Sequence, residues 1–110
     1  MVRVNFKLKG KNFSIGAKEC RTFFQKGTGL MFQKKSLPLL FIFDKLVNEA
    51  IHSFFCVDFI CIWFNNGKVV DIQYVKPWKL YIKPKEKFDK FLEIPIGDKN
   101  FNKLKLLILK

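Results

Sequence analysis

The densest apolar run in the chain is IHSFFCVDFICIWF, residues 51–64. Asn65-Asn66-Gly67 follows, and then a shorter apolar stretch, KVVDIQYV, residues 68–75. At the even positions of the first run stand His52, Phe54, Cys56, Asp58, Ile60, Ile62 and Phe64; at the odd ones stand Ile51, Ser53, Phe55, Val57, Phe59, Cys61 and Trp63. A strand turns alternate residues to opposite faces, so apolar residues in both sets predict an inner strand covered on both sides. Asn-Gly supplies the positive φ angles of a tight turn, and the extra Asn predicts a three-residue or bulged loop. Residues 51–75 are therefore expected to form a central β-hairpin.

The same periodicity places the other elements. Val2, Val4, Phe6 and Leu8 alternate with Arg3, Asn5, Lys7 and Lys9, which predicts a half-exposed strand. A turn at Gly10 and Asn12 leads to a second strand over residues 13–17. Over residues 18–26 the period becomes helical, with Cys20, Phe23 and Phe24 on one face and Gly27 or Gly29 as the stop. Residues 39–43, LLFIF, read as a buried strand; residues 44–50 read as a loop or helical turn. Pro77 and Pro84 break regular pairing across residues 76–87. Residues 88–94 resume as a strand, residues 100–102 as one helical turn and residues 104–109 as a last strand. The fold class expected is mainly β, a small antiparallel β-sandwich or barrel with one short helix in the N-terminal half.

At 110 residues the chain is expected to be one domain, long enough to bury a self-sufficient core. Fourteen Phe residues point to a large aromatic core, and 49% hydrophobic residues argue against disorder. The apolar run is too short for a membrane span of ~20 residues and contains Asp58. The N-terminus, MVRVNFKLKG, lacks the apolar core of a signal peptide. Cys20, Cys56 and Cys61 are odd in number and lack CxxC spacing, so free thiols in a reducing cytoplasm are expected rather than disulfides.

Several stretches resemble one family. Gly29-Leu30-Met31-Phe32 is similar to its "GLMFR" signature and Leu39-Leu40-Phe41-Ile42-Phe43 to its "LLFVF" strand. Ile51-His52-Ser53-Phe54-Phe55 resembles "IHMFF", Val57-Asp58-Phe59-Ile60 resembles "IDVV", and Gly67-Lys68-Val69-Val70-Asp71 resembles "GKVVD". Pro77-Trp78-Lys79-Leu80-Tyr81 resembles "PWRLY", and residues 91–97, FLEIPIG, resemble "YVLELPAG". The family is uncharacterised protein family 0127, also called domain of unknown function 192. The resemblance spans about residues 17–97. It implies a compact antiparallel β-sandwich of jelly-roll-like character with a short helix, and no activity or catalytic residue.

The residues themselves point the same way. The only histidine is His52, and His52 and Cys56 on one strand would stand ~13 Å apart, beyond hydrogen-bond reach. His52, Cys56 and Asp58 have metal-ligand chemistry but neither paired spacing nor a fourth ligand. Gly27-Thr28-Gly29 lacks a Walker lysine. No enzyme activity, metal or cofactor is expected. Asp58, inside an apolar strand, requires a partner, with Lys68, Lys76 or a backbone turn as the candidates.

The formal net charge is +12, carried by nineteen lysines and only two arginines. Much of it lies in the 76–90 stretch, where Lys76, Lys79, Lys83 and Lys85 interleave with Trp78 and Tyr81. Lysines track a phosphate backbone and aromatic faces stack bases, so one reading is sequence-independent binding of RNA or single strands, or of another anionic partner. The other reading, which the packing habits of large aromatics favour, is that Trp78 and Tyr81 pin an irregular loop to the sheet while the lysines solvate it. The candidate binding residues are thus Lys76, Trp78, Lys79, Tyr81, Lys83 and Lys85, with His52 and Asp58 beside them. The primary expectation is a non-enzymatic binding or accessory domain whose partner the sequence does not name.

Overall fold

The computed structural model describes residues 1–20, 37–53 and 56–109. Strands β1 (Val2–Leu8) and β2 (Lys11–Cys20) form an antiparallel hairpin, in register from Val2 opposite Ala17 to Leu8 opposite Lys11. β3 (Leu39–Val47) runs parallel to the end of β2, with Lys18 opposite Leu39 and Cys20 opposite Phe41. A parallel pair needs a crossover of a dozen or more residues, and residues 21–38 supply that length. β4 (Phe59–Asn65), β5 (Lys68–Val75) and β6 (Phe88–Pro95) complete a six-stranded sheet of order β1-β2-β3-β6-β4-β5. β1 and β5 approach each other, so the sheet curls almost into a closed barrel. The mainly β, barrel-like reading of the sequence holds, with one parallel pair among antiparallel ones.

β4 is buried from Phe59 to Phe64 because both its faces are covered. Ile60, Ile62 and Phe64 point into the barrel with Phe6, Phe13, Ile15, Leu92 and Ile94. Phe59, Cys61 and Trp63 point outward into a second cluster with Phe41, Phe88 and Phe91. The hairpin predicted around Asn-Gly is present, with positive φ at both Asn66 (51°) and Gly67 (82°). That pair of angles matches the right-handed strand twist and makes a two-residue loop. The irregularity expected in the loop lies one step down the ladder, between Trp63 and Phe64.

The elements depart from the sequence reading at four places. The hairpin strand starts at Phe59, not at residue 51; Ile51 makes only an isolated antiparallel bridge to Ile82. Residues 44–47 continue β3 instead of forming a loop or helical turn. Residues 18–20, expected to open a helix, end β2; the remainder of that expected helix, the 29–32 motif and Phe55 lie outside the described residues. Residues 104–109, expected as a strand, belong mostly to helix α1 (Phe101–Ile108). Counted from Phe101 the buried positions are Phe101, Leu104 and Leu107, a helical spacing that the short Leu-Lys alternation hides. Asp98 forms the turn ahead of the Asn100 N-cap: its carboxylate accepts from the Asn100 N–H at 3.0 Å and its carbonyl from the Phe101 N–H at 3.0 Å. Lys9, at the β1–β2 turn, donates to the Leu107 carbonyl at the other end, where a cation suits the helix dipole. Among the described residues no helix is long and apolar enough to cross a membrane.

Candidate functional site

The lysine-rich segment that follows β5 is irregular in backbone but tied down at both ends. Ser53 is fully buried and holds the first end. Its hydroxyl donates to the Lys76 carbonyl at 2.7 Å and accepts from the Lys79 N–H at 2.8 Å. The Ser53 hydroxyl thus stands between the two ends of the Lys76-Pro77-Trp78-Lys79 turn, in place of a direct bond across it. The Ser53 backbone adds bonds to the Trp78 N–H (3.0 Å) and the Lys79 carbonyl (2.9 Å). Gln73 holds the second end by donating to the Lys83 carbonyl at 3.0 Å, and the Asp71 carboxylate accepts from the Lys85 N–H at 3.1 Å.

Between these clamps Ile82 and Pro84 turn inward, while three large side chains face water. Trp78 is 61% exposed, Leu80 75% and Tyr81 71%. This corrects the expectation that the two rings pin the loop: Ser53, Gln73 and Asp71 hold it. Trp78 also sits at φ +66°, in the left-handed region that bulky residues rarely adopt, which stores of order 1–3 kcal/mol. Lys76, Lys79 and Lys85 are exposed around the rings, and Lys83 is half-buried. Replacing Ser53 by alanine should leave the turn's ends unbridged and lower stability by about 1–3 kcal/mol. Hydrogen exchange at the Trp78 and Lys79 amides should accelerate in that variant more than at β4 amides.

The structure separates the remaining candidates. His52 is half-buried and lies between Ile51 and Ser53, both bonded to the basic segment, so it belongs beside that turn. Asp58 does not join them. Its carboxylate accepts a hydrogen bond from the Tyr74 hydroxyl, and Tyr74 packs toward the helix, its ring 5.7 Å from Phe101. The side-chain partner is thus Tyr74, where Lys68, Lys76 or a backbone turn was expected; the bond to Asp58 in turn holds the Tyr74 hydroxyl above its ordinary pKa. Among the described residues no three His, Cys, Asp or Glu side chains come together as a metal site.

A second polar feature was not legible as a candidate. Glu93 is 5% exposed on β6, facing the outer cluster between Leu39 of β3 and Cys61 of β4. Burial pushes its pKa up to about 8, so it holds a proton through most of the neutral range. None of the three cysteines is in a disulfide. Burial, then the charge of Glu93, raises each of them: Cys56 to about 11, Cys61 well above its ordinary value and Cys20 upward. A raised pKa keeps the thiol protonated, which works against thiolate nucleophile or redox chemistry here.

A family model for domain of unknown function 192, DUF192, described as an uncharacterized ACR, matches residues 4–106. The chain belongs to the DUF192 family. The UPF0127 protein of Pyrococcus horikoshii is 38% identical over 80 residues, covering 69% of each chain. That of Pyrococcus furiosus is 32% identical over 81% of this chain and 79% of its own. That of Thermococcus sibiricus is 33% identical over 83% of this chain and 62% of its own. Two crystal structures share the DUF192 protein's fold at 17% identity each. A protein of unknown function from Novosphingobium aromaticivorans superposes with a TM-score of 0.79 over 99% of this chain and 79% of that one. A candidate transcription regulator from Sinorhizobium meliloti gives 0.73 over 86% and 78%. The family is uncharacterised, so membership establishes kinship and fold and assigns no reaction.

Proposed function

We propose that this DUF192 protein is a single-domain, non-enzymatic binding module of the cytoplasm that meets an anionic partner through the clamped turn between Lys76 and Lys85. The observation that carries the reading is the exposure of Trp78, Leu80 and Tyr81 on a segment whose backbone is fixed. Exposed apolar groups rimmed by charge are typical of contact surfaces, and a preset backbone lowers the ordering cost of contact. The left-handed Trp78 adds to this, since such strain is retained mainly where a side chain must be aimed. The raised pKa values of the thiols support the non-enzymatic part.

A second reading, single-stranded nucleic acid as the partner, is favoured by the interleaving of rings with lysines, because bases stack on aromatic faces. One titration addresses both. The full chain is titrated at low salt with poly-glutamate and, separately, with oligouridine, following tryptophan fluorescence. Saturable binding of either, weakened by about 1–3 kcal/mol in Trp78→Gly, is the expected result. If oligouridine is the binder and the four exposed lysines Lys76, Lys79, Lys85 and Lys87 each neutralise one phosphate, the slope of log affinity against log salt should be about −3. Absence of any response to both polymers would overturn the proposal.

A further inference from the structure

Within four consecutive positions the basic turn exposes three large side chains, Trp78, Leu80 and Tyr81. Their chemistry differs. A tryptophan or tyrosine ring can stack on a base, whereas the aliphatic Leu80 can neither stack nor bond to an anion. Leu80 is nevertheless the most exposed of the three, at 75%. The charge around them is nearly all of one sign. Lys76, Lys79, Lys85 and Lys87 are exposed, Glu86 is the one acid from residue 76 to residue 87, and that stretch contains no arginine. The backbone of the turn is bonded from within. The Lys76 carbonyl and the Lys79 N–H bond to the Ser53 hydroxyl. The Trp78 N–H and the Lys79 carbonyl bond to the Ser53 backbone, and the N–H and carbonyl of Ile82 bond to those of Ile51.

These features select among anionic partners. Arginine matches single phosphates and carboxylates as a fork, whereas lysine is a point charge that suits a diffuse charged surface. A platform for stacked bases has no use for Leu80. A peptide that adds along a backbone needs free N–H and C=O groups, and the clamps occupy those of this turn. A bilayer interface suits all of them. Trp and Tyr rings settle at headgroup level, an aliphatic side chain reaches the acyl boundary, and lysines meet anionic headgroups. A backbone bonded from within loses little on entering a layer poor in water. We propose that the turn over residues 76–87 docks this protein peripherally on an anionic bilayer surface. Trp78, Leu80 and Tyr81 enter the headgroup layer, and Lys76, Lys79, Lys85 and Lys87 lie against the charged headgroups. This names the partner of the contact surface proposed above and rests on that reading. The buried clusters of the barrel stay outside the lipid, and the contact is reversible and weakened by salt.

The test is co-sedimentation of the full chain with vesicles, run beside the poly-glutamate and oligouridine titrations. One vesicle is phosphatidylcholine alone; the other contains about 30% phosphatidylserine. The chain should bind the anionic vesicles at least about tenfold more tightly than the neutral ones, and about 0.5 M salt should release it. Its tryptophan emission should shift to the blue on binding. Trp63 has no exposed surface, so that shift reports Trp78. Leu80→Ser should weaken vesicle binding at least about threefold and leave the affinity for both polymers unchanged. Trp78→Gly should weaken vesicle binding at least about tenfold. Both side chains are exposed and glycine accepts the left-handed φ, so both variants should keep a cooperative thermal melt. Vesicle binding that neither variant weakens would belong to lysines elsewhere on this +12 chain and would overturn the proposal. A chain that ignores anionic vesicles also overturns it. If such a chain still binds a polymer through Trp78, the turn remains a contact surface and only its lipid partner falls; if it binds neither polymer, both readings fall.

Discussion

Replacing Trp63 by alanine should lower the unfolding free energy by about 3–5 kcal/mol, read as a fall in the urea midpoint at constant slope. Trp63 has no exposed surface and sits at the middle of β4, the strand buried on both faces. Its outward face packs with Phe59, Phe91 and Phe41 in the second cluster. Truncation removes the largest fully buried side chain and opens a cavity that strands β5 and β6, fixed by their ladders on either side, have little freedom to fill. Small domains have about 5–15 kcal/mol in total, so the variant should be largely unfolded at moderate urea. Trp63→Phe gives the control. It keeps an aromatic ring and removes an N–H that has no partner, so its loss should be well below that of alanine. Equal losses for the two variants would mean that ring packing is not what holds this face.

The contrast between the two faces of β4 also explains what the sequence made legible. Where apolar residues occupied both sets of alternate positions, from Phe59 to Phe64, the inner strand and the Asn66-Gly67 turn could be placed, because both features depend on local spacing alone. α1 could not. Lys103 to Leu106 alternate for too few residues to distinguish two from 3.6, and only Phe101 and the Asp98 turn ahead of the helix decide it. The packing habit of aromatics favours Trp78 and Tyr81 as loop anchors over exposed stacking faces; their exposure follows from three polar clamps, Ser53, Asp71 and Gln73, that lie elsewhere in the sequence. For Asp58 the sequence offers Lys68, Lys76 or a backbone turn, yet Tyr74 reaches its carboxylate because β4 and β5 are in register with Ile60 opposite Tyr74. Glu93 was passed over for a related reason. A lone acid between Leu92 and Ile94 reads as the wet face of a half-exposed strand, whereas β3, β4 and the outer cluster cover that face. The available signal was period two: Glu93 shares a face with Phe91, and residues 91–95 contain no other polar side chain.

That buried acid gives this protein a stability profile opposite to that of an ordinary salt-bridged carboxylate. Below about pH 4.5 Glu93 is protonated in both the folded and the unfolded chain, and its contribution to stability is fully present. As pH rises further, the unfolded chain loses this proton while the folded chain keeps it up to about pH 8. Stability from this group therefore falls by about 1.4 kcal/mol per pH unit across that window, to a total of about 4–5 kcal/mol, and levels off above it. Cys20, Cys56 and Cys61, the titratable groups that face it, are all raised above their ordinary values and so ionise above the window. Glu93→Gln keeps the shape and a hydrogen-bonding end but cannot ionise. The difference in unfolding free energy between Glu93→Gln and the natural chain should thus be near zero at about pH 4 and should grow to several kcal/mol in favour of the glutamine by about pH 8. Groups unaffected by the substitution cancel in that difference, so paired urea melts across the range isolate the one proton. A difference that stays flat with pH would show that Glu93 is solvated or paired in the native state, contrary to its burial between β3 and β4.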